Sequence, residues 1–166
     1  RQSWDLTQRW NPPAAQRRGS LGYIVFSSNG VSGCKIWEGD GMSKKQNYWL
    51  VGANWSGDDQ AEAFYRRGYW ELGWDDDRQP SMAHARDSIQ AGDRIGIKAM
   101  RGKGAKTITI KALGVVKEVA DKRVYINWLV TDMSRVVPAK GCFASIHGPY
   151  SRSGKDADWV KEVFCL

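Results

Sequence analysis

Apolar residues run almost unbroken from Tyr48 to Ala53 (YWLVGA), a pattern that predicts a strand buried on both faces. Ser56 to Arg67 reads as a helix. Ser56 supplies a cap, Asp58 and Asp59 suit the first turn, Arg66 and Arg67 suit the last, and Gly68 ends it. A second helix is predicted over residues 80–89. Strands are predicted over 94–99 (RIGIKA), 107–118, 123–129 (RVYINWL) and 142–147 (CFASIH), with turns at Gly92-Asp93 and Asp121-Lys122, and a helix over 154–164 closes the chain. Upstream, residues 22–28 (GYIVFSS) and 34–38 (CKIWE) flank the turn Ser28-Asn29-Gly30 and read as a hairpin, preceded by an aperiodic arm with Trp4, Trp10 and Pro12-Pro13. The expected organisation is an arm with a β-hairpin extension over 1–46 and one main domain over 47–166. Strand, helix, helix, several antiparallel strands and a helix make an α+β fold: a small curved sheet or barrel with flanking helices.

Composition narrows the partners. The chain has 166 residues, 25 Lys and Arg against 18 Asp and Glu, a net charge of +7 and a pI near 9.4. That excess favours a polyanion, of which nucleic acid is the commonest, although a solvated basic surface accounts for the same charge. Nine tryptophans exceed what a core of this size needs, so one or more is expected to face a ligand. The cysteines Cys34, Cys142 and Cys165 are far apart and form no C-x-x-C pair, so neither a zinc site nor a disulfide framework is indicated, and a reduced cytoplasmic setting is expected. No apolar run approaches the roughly 20 residues of a membrane span. Arg1 in place of an initiating Met predicts a piece of a longer polypeptide.

Catalytic patterns are sparse. Gly102-Lys103-Gly104-Ala105-Lys106-Thr107 lacks the adjacent Gly-Lys directly before Thr that a phosphate loop needs, and it lies between two strands, whereas such a loop joins a strand to a helix. The acid-x-Lys triplet that metal-dependent nucleases use is missing. The run Asp75-Asp76-Asp77 reads as a solvated loop before it reads as a metal site. The two histidines, His84 and His147, supply no nucleophile, base and orienter set. The expectation is a binding module without catalysis, cofactor or metal.

Five segments carry a resemblance: YWLVGANW at 48–55, RGYWELGW at 67–74, GDRIGIK at 92–98, IKALGVV at 110–116 and VYINW at 124–128. In that order and spacing, residues 47–130 resemble the EVE-like branch of the PUA-like superfamily, related to the YTH readers, and are most similar to the DNA-binding domains of McrB-type modification-dependent restriction proteins. The resemblance implies a PUA-like curved barrel and a pocket that receives a flipped, modified base. It carries one pocket wall onto Trp70, in the Gly68-Tyr69-Trp70 sequence after the helix, and places Asn54 near the pocket. The family's second wall, a Trp from a later loop, has no counterpart in residues 117–123 (KEVADKR), and Trp55, Trp49, Trp74 and Tyr48 are all open candidates for it. Strand alternation sends one of Tyr48 and Trp49 to the core, and Trp128 and Trp159 also read as core.

The energetics of such a site are simple. Flipping costs a few kcal/mol of lost pairing and stacking, aromatic stacking returns about 1–3 kcal/mol per base, and a buried methyl adds ~0.8 kcal/mol. The glycine-rich stretch with Lys98, Arg101, Lys103 and Lys106 is expected to track phosphates, with Arg66, Arg67 and Lys44-Lys45 as weaker candidates. The expected partner is double-stranded DNA carrying a modified base, with RNA as the alternative. An AAA+ motor and a nuclease would lie on other domains or chains.

Overall fold

The computed structural model describes residues 45–100, 102 and 104–166. The arm, the hairpin, Lys44, Arg101 and Lys103 lie outside the described residues. The elements in chain order are β1 (Tyr48–Gly52), β2 (Asn54–Trp55), β3 (Asp58–Asp59), α1 (Ala61–Arg67), β4 (Tyr69–Glu71), α2 (Pro80–Asp87), β5 (Arg94–Met100), β6 (Thr107–Ala120), β7 (Arg123–Val130), β8 (Arg135–Pro138), β9 (Ile146–Tyr150) and α3 (Ala157–Phe164).

β1 is the hinge of the architecture. Its side chains alternate between two cores, which is why an uninterrupted apolar run was needed. Trp49 and Val51 face one core with Phe64, Trp70, Ile95, Ile97, Val116, Val124 and Ile126. Tyr48 and Leu50 face the other with Ile108, Ile110, Leu113, Val137 and the Trp159, Val160 and Val163 face of α3. Both members of the Tyr48-Trp49 pair are therefore buried, where the alternation argument had spared one.

The main sheet runs β4-β7-β6-β5-β1-β9, with β8 also paired to β6. β5 lies parallel to β1, Tyr48 opposite Arg94 through Gly52 opposite Lys98; β9 lies antiparallel to β1. The 14-residue β6 pairs β8 along its first residues and β7 along its later ones, while β5 pairs residues 108–115 along its other edge, and the sheet curls into a half-barrel. Asp121 and Lys122, both at positive φ (49° and 62°), make the tight turn from β6 to β7. The α+β class and the curled sheet with its three helices agree with the sequence pattern.

Three local expectations are corrected. The helix expected from Ser56 starts at Ala61, because Ser56 (φ 50°) and Gly57 (φ 103°) form a turn between the two-residue strands β2 and β3. Asp59 then accepts the N–H of Ala61, the role given to Ser56. Gly68 ends α1 in the left-handed region at φ 72°, its N–H bonded to the carbonyl of Phe64, as its position predicted. The strand expected at 142–147 begins only at Ile146, after a turn at Lys140-Gly141 (φ 41° and 77°) and a loop over 142–145. Finally, β4 and β8, three and four residues long, had no recognisable alternation of their own.

Candidate ligand cleft

The pairing of β1 brings three distant segments to one end of the sheet. β1 and β5 are parallel, so their carboxyl ends, Gly52 and Lys98–Met100, lie side by side. β9 is antiparallel to β1, so the loop that precedes it arrives at that same end, and the Gly52 N–H bonds to the Ser145 carbonyl at 2.8 Å. Between these segments lies an open cleft of about 820 Å³, lined by Gly52–Asn54, Asp59, Lys98–Met100, Gly102, Gly104, Lys111 and Phe143–Ser145. Clefts of about 300–1,000 Å³ are the usual size for small organic ligands.

Among the described residues the cleft's charged and polar side chains are few. Asp59 is ion-paired with Lys111. Burial works against its ionisation, but the Lys111 ammonium and the Ala61 N–H outweigh that and hold its carboxyl below the usual range. Asn54 uses its side-chain carbonyl to accept the Gly57 N–H at 3.0 Å, fixing the β2–β3 turn. Lys98, only 5% exposed, donates to the Ala144 carbonyl at 2.9 Å, and burial pushes its pKa down. Phe143, by contrast, is 51% exposed and is one of the residues that line the cleft. Next to it, Trp74 is 55% exposed and its indole N–H reaches the Ser145 hydroxyl at 3.3 Å.

The wall that carries Phe143 is held by a neutral imidazole. The Ala144 N–H donates to His147 Nε2 at 2.9 Å, which requires that nitrogen to be unprotonated. Burial, and then the Lys98 charge, lower the His147 pKa from 6.5. The folded protein therefore resists a proton that the unfolded chain accepts. Stability is full above pH 6.5 and declines as the pH falls from there through the folded-state value. His147→Gln keeps an acceptor but does not titrate. The melting-temperature difference between wild type and His147→Gln is expected to shift between pH 7.5 and 5; parallel curves would show that the imidazole does not hold this loop.

The tryptophans assigned from sequence sort differently from the expectation. Trp70 is 1% exposed, lies in β4, and donates its indole N–H to the Gly52 carbonyl at 2.8 Å. It offers no free ring face to a ligand; it pins the end of β1 from within the core. Trp49 is buried and donates to Asp93 Oδ2 at 2.9 Å. Asp93 is a buried carboxylate that also accepts the Asn47 and Gln90 N–H groups. Tyr48 is buried edge-to-face against Phe164. Trp55 is half-buried, edge-to-face with Phe64 and so close to Gly73 that a Cβ there would lie 2.4 Å from the indole. Trp128 and Trp159 are anchored through their N–H groups to the Phe64 and Pro138 carbonyls, and Trp159 lies in the core. Of the sequence-assigned pocket residues, only Asn54 lines the cleft and only Trp74 stands at its rim.

The basic residues divide too. Lys106, Arg66 and Arg67 are exposed, and Arg66 pairs with Glu62 at 3.6 Å. Lys98 is buried, so it is not a loop cation reaching for phosphate. In the acidic run, Asp76 is bound by the buried Arg86 guanidinium at 2.8 Å and by Lys122 at 3.0 Å, and these cations hold its carboxyl down to about 2. Sequence reasoning missed Phe143, Ser145 and Lys111. The one available signal for the first two was the Lys140-Gly141 pair, a turn that detaches Phe143 from the strand pattern.

No protein-family model and no curated protein matches the sequence. No helix among the described residues is long and apolar enough to cross a membrane.

Proposed function

We propose that this chain is a non-catalytic reader that takes a flipped, modified base of double-stranded DNA into the cleft at the carboxyl ends of β1 and β5. The observation that carries the reading is the cleft itself: about 820 Å³, with a half-exposed phenylalanine in its wall and a half-exposed tryptophan at its rim. A base needs flat apolar surface to replace its lost stacking, plus a small number of polar groups on its edge. Phe143 supplies the first and Lys98 and the cleft's backbone groups the second. The cleft's only described carboxylate, Asp59, is already engaged by Lys111, which leaves no free acid and base pair for hydrolysis. The curled sheet is compatible with the PUA-like architecture implied by residues 47–130. On that reading the chain is the targeting module of a modification-dependent restriction system, its motor and nuclease carried by other domains or chains.

Titrating the protein against duplexes with one modified base, matched unmodified duplexes and matched RNA tests the proposal. The modified DNA is expected to bind most tightly, with affinity falling steeply as salt rises, because a chain of net charge +7 displaces counterions from phosphates. Equal affinity for modified and unmodified duplexes would overturn base reading. Tighter binding of the RNA would favour a reader of the YTH or PUA kind.

A further inference from the structure

Lys98 is the anomaly of the cleft. β5 and β6 slip register between Ile97 and Lys98: Ile97 faces Ala112 and Lys98 faces Ile110, leaving Lys111 as the extra residue. Such bulges redirect side chains beside binding sites, and here both Lys98 and Lys111 line the cleft. Lys111 has Asp59 as its counter-charge. Lys98 has no ion pair among the described residues, and its one hydrogen bond goes to the Ala144 carbonyl. The groups electrostatically closest to it, Cys142 and His147, carry no negative charge that would balance it: burial raises the Cys142 thiol and lowers the His147 imidazole, so both stay neutral near pH 7. An ammonium has three N–H donors and no acceptor. Two donors are left over on a largely buried ammonium of a residue that lines the cleft.

Resting on the base-reading proposal, we infer that Lys98 is the specificity-determining contact of the cleft and that it selects a base bearing a carbonyl oxygen. A buried cation is costly until an electron-rich oxygen meets it. Cytosine, thymine and guanine each bring a carbonyl oxygen, whereas adenine brings an exocyclic amine and ring nitrogens. A donor-only group turned toward that amine repels it. A phosphate oxygen has the same acceptor chemistry, so the test separates the two sources.

Lys98→Met keeps the length of the side chain and removes the charge. Loss of an unpaired buried charge leaves the melting temperature unchanged or raises it; Lys98→Gln, which keeps one donor group, serves if the methionine variant does not fold. Four duplexes are compared by fluorescence anisotropy. They carry 5-methylcytosine, 5-hydroxymethyluracil, N6-methyladenine or an abasic site at one position. Wild type is expected to favour at least one of the two carbonyl-bearing bases over N6-methyladenine. Lys98→Met is expected to lose on the order of 10–100-fold on that duplex and nothing on the abasic one, the scale of a hydrogen bond to a charged group. If wild type binds all four alike, base reading itself fails. If wild type favours N6-methyladenine, or Lys98→Met keeps the carbonyl preference, base reading stands and the role of Lys98 falls. If Lys98→Met weakens all four equally and flattens the salt slope by about one, the contact is to phosphate, which also overturns the inference.

Discussion

Trp70→Ala is expected to lower the melting temperature by about 6–20 °C. Truncating a fully buried tryptophan costs about 3–5 kcal/mol, and each kcal/mol shifts the midpoint by about 2–4 °C in a chain of this size. Trp70 meets the conditions for a large effect. It is 1% exposed, packs in the core with Phe64, Val124 and Ile126, and its indole N–H is the partner of the Gly52 carbonyl at the end of β1. Trp70→Phe keeps most of the ring and loses that hydrogen bond, so it is expected to cost about 1 kcal/mol from the bond plus the smaller ring's lost packing. Below its melting temperature Trp70→Phe should still discriminate modified from unmodified DNA, since the ring does not enter the cleft. Unchanged melting together with lost discrimination would return Trp70 to the pocket wall that the family resemblance gives it.

That reversal shows what was legible in the chain. Burial of β1 followed from its composition alone, and the end of α1 followed from Gly68, because both are decided by local chemistry. The location of a tryptophan beside a helix is not. Trp70 sits next to Gly68 at a point where a binding loop is a fair expectation, but pairing of Tyr69, Trp70 and Glu71 with Tyr125, Val124 and Arg123 turns the ring inward. Nothing within ten residues of Trp70 encodes that partner. Ser56 illustrates a second ambiguity. Serine followed by two aspartates is a helix start by capping rules, yet Ser-Gly is also a turn signal, and the turn prevailed.

The cleft was hidden for the same reason on a larger scale. Its walls come chiefly from residues 52–54, 98–100, 102, 104 and 143–145, joined by one parallel and one antiparallel pairing of β1. Parallel pairing leaves no trace in the alternation of either strand. Lys98 was grouped with the cations of the following stretch because it stands beside them in sequence. The register slip that buries it is a property of two strands together.

Phe143→Ala should lose about 5–150-fold in affinity for modified DNA while leaving stability nearly unchanged. The first figure follows from about 1–3 kcal/mol of stacking per base. The second follows from the ring's 51% exposure and its place in a loop, where substitutions usually stay within about 0.5 kcal/mol. Trp74→Ala provides the contrast. Its ring is equally exposed but lies outside the cleft lining, tethered to the rim through Ser145. If the proposed reading holds, a ring inside the cleft touches the flipped base, and its loss removes the preference for modification. A ring at the rim touches the strand around that base, so its loss weakens modified and unmodified duplexes by the same factor. Measuring both variants on both duplexes therefore separates pocket from rim. Wild-type binding by Phe143→Ala would show that the base, if one is read, enters elsewhere. A loss of preference in Trp74→Ala but not in Phe143→Ala would move the site to the second pocket, lined by Trp74, Asp75–Asp77, Arg78, Arg86, Lys122 and Arg123, where the cations are largely committed to carboxylates.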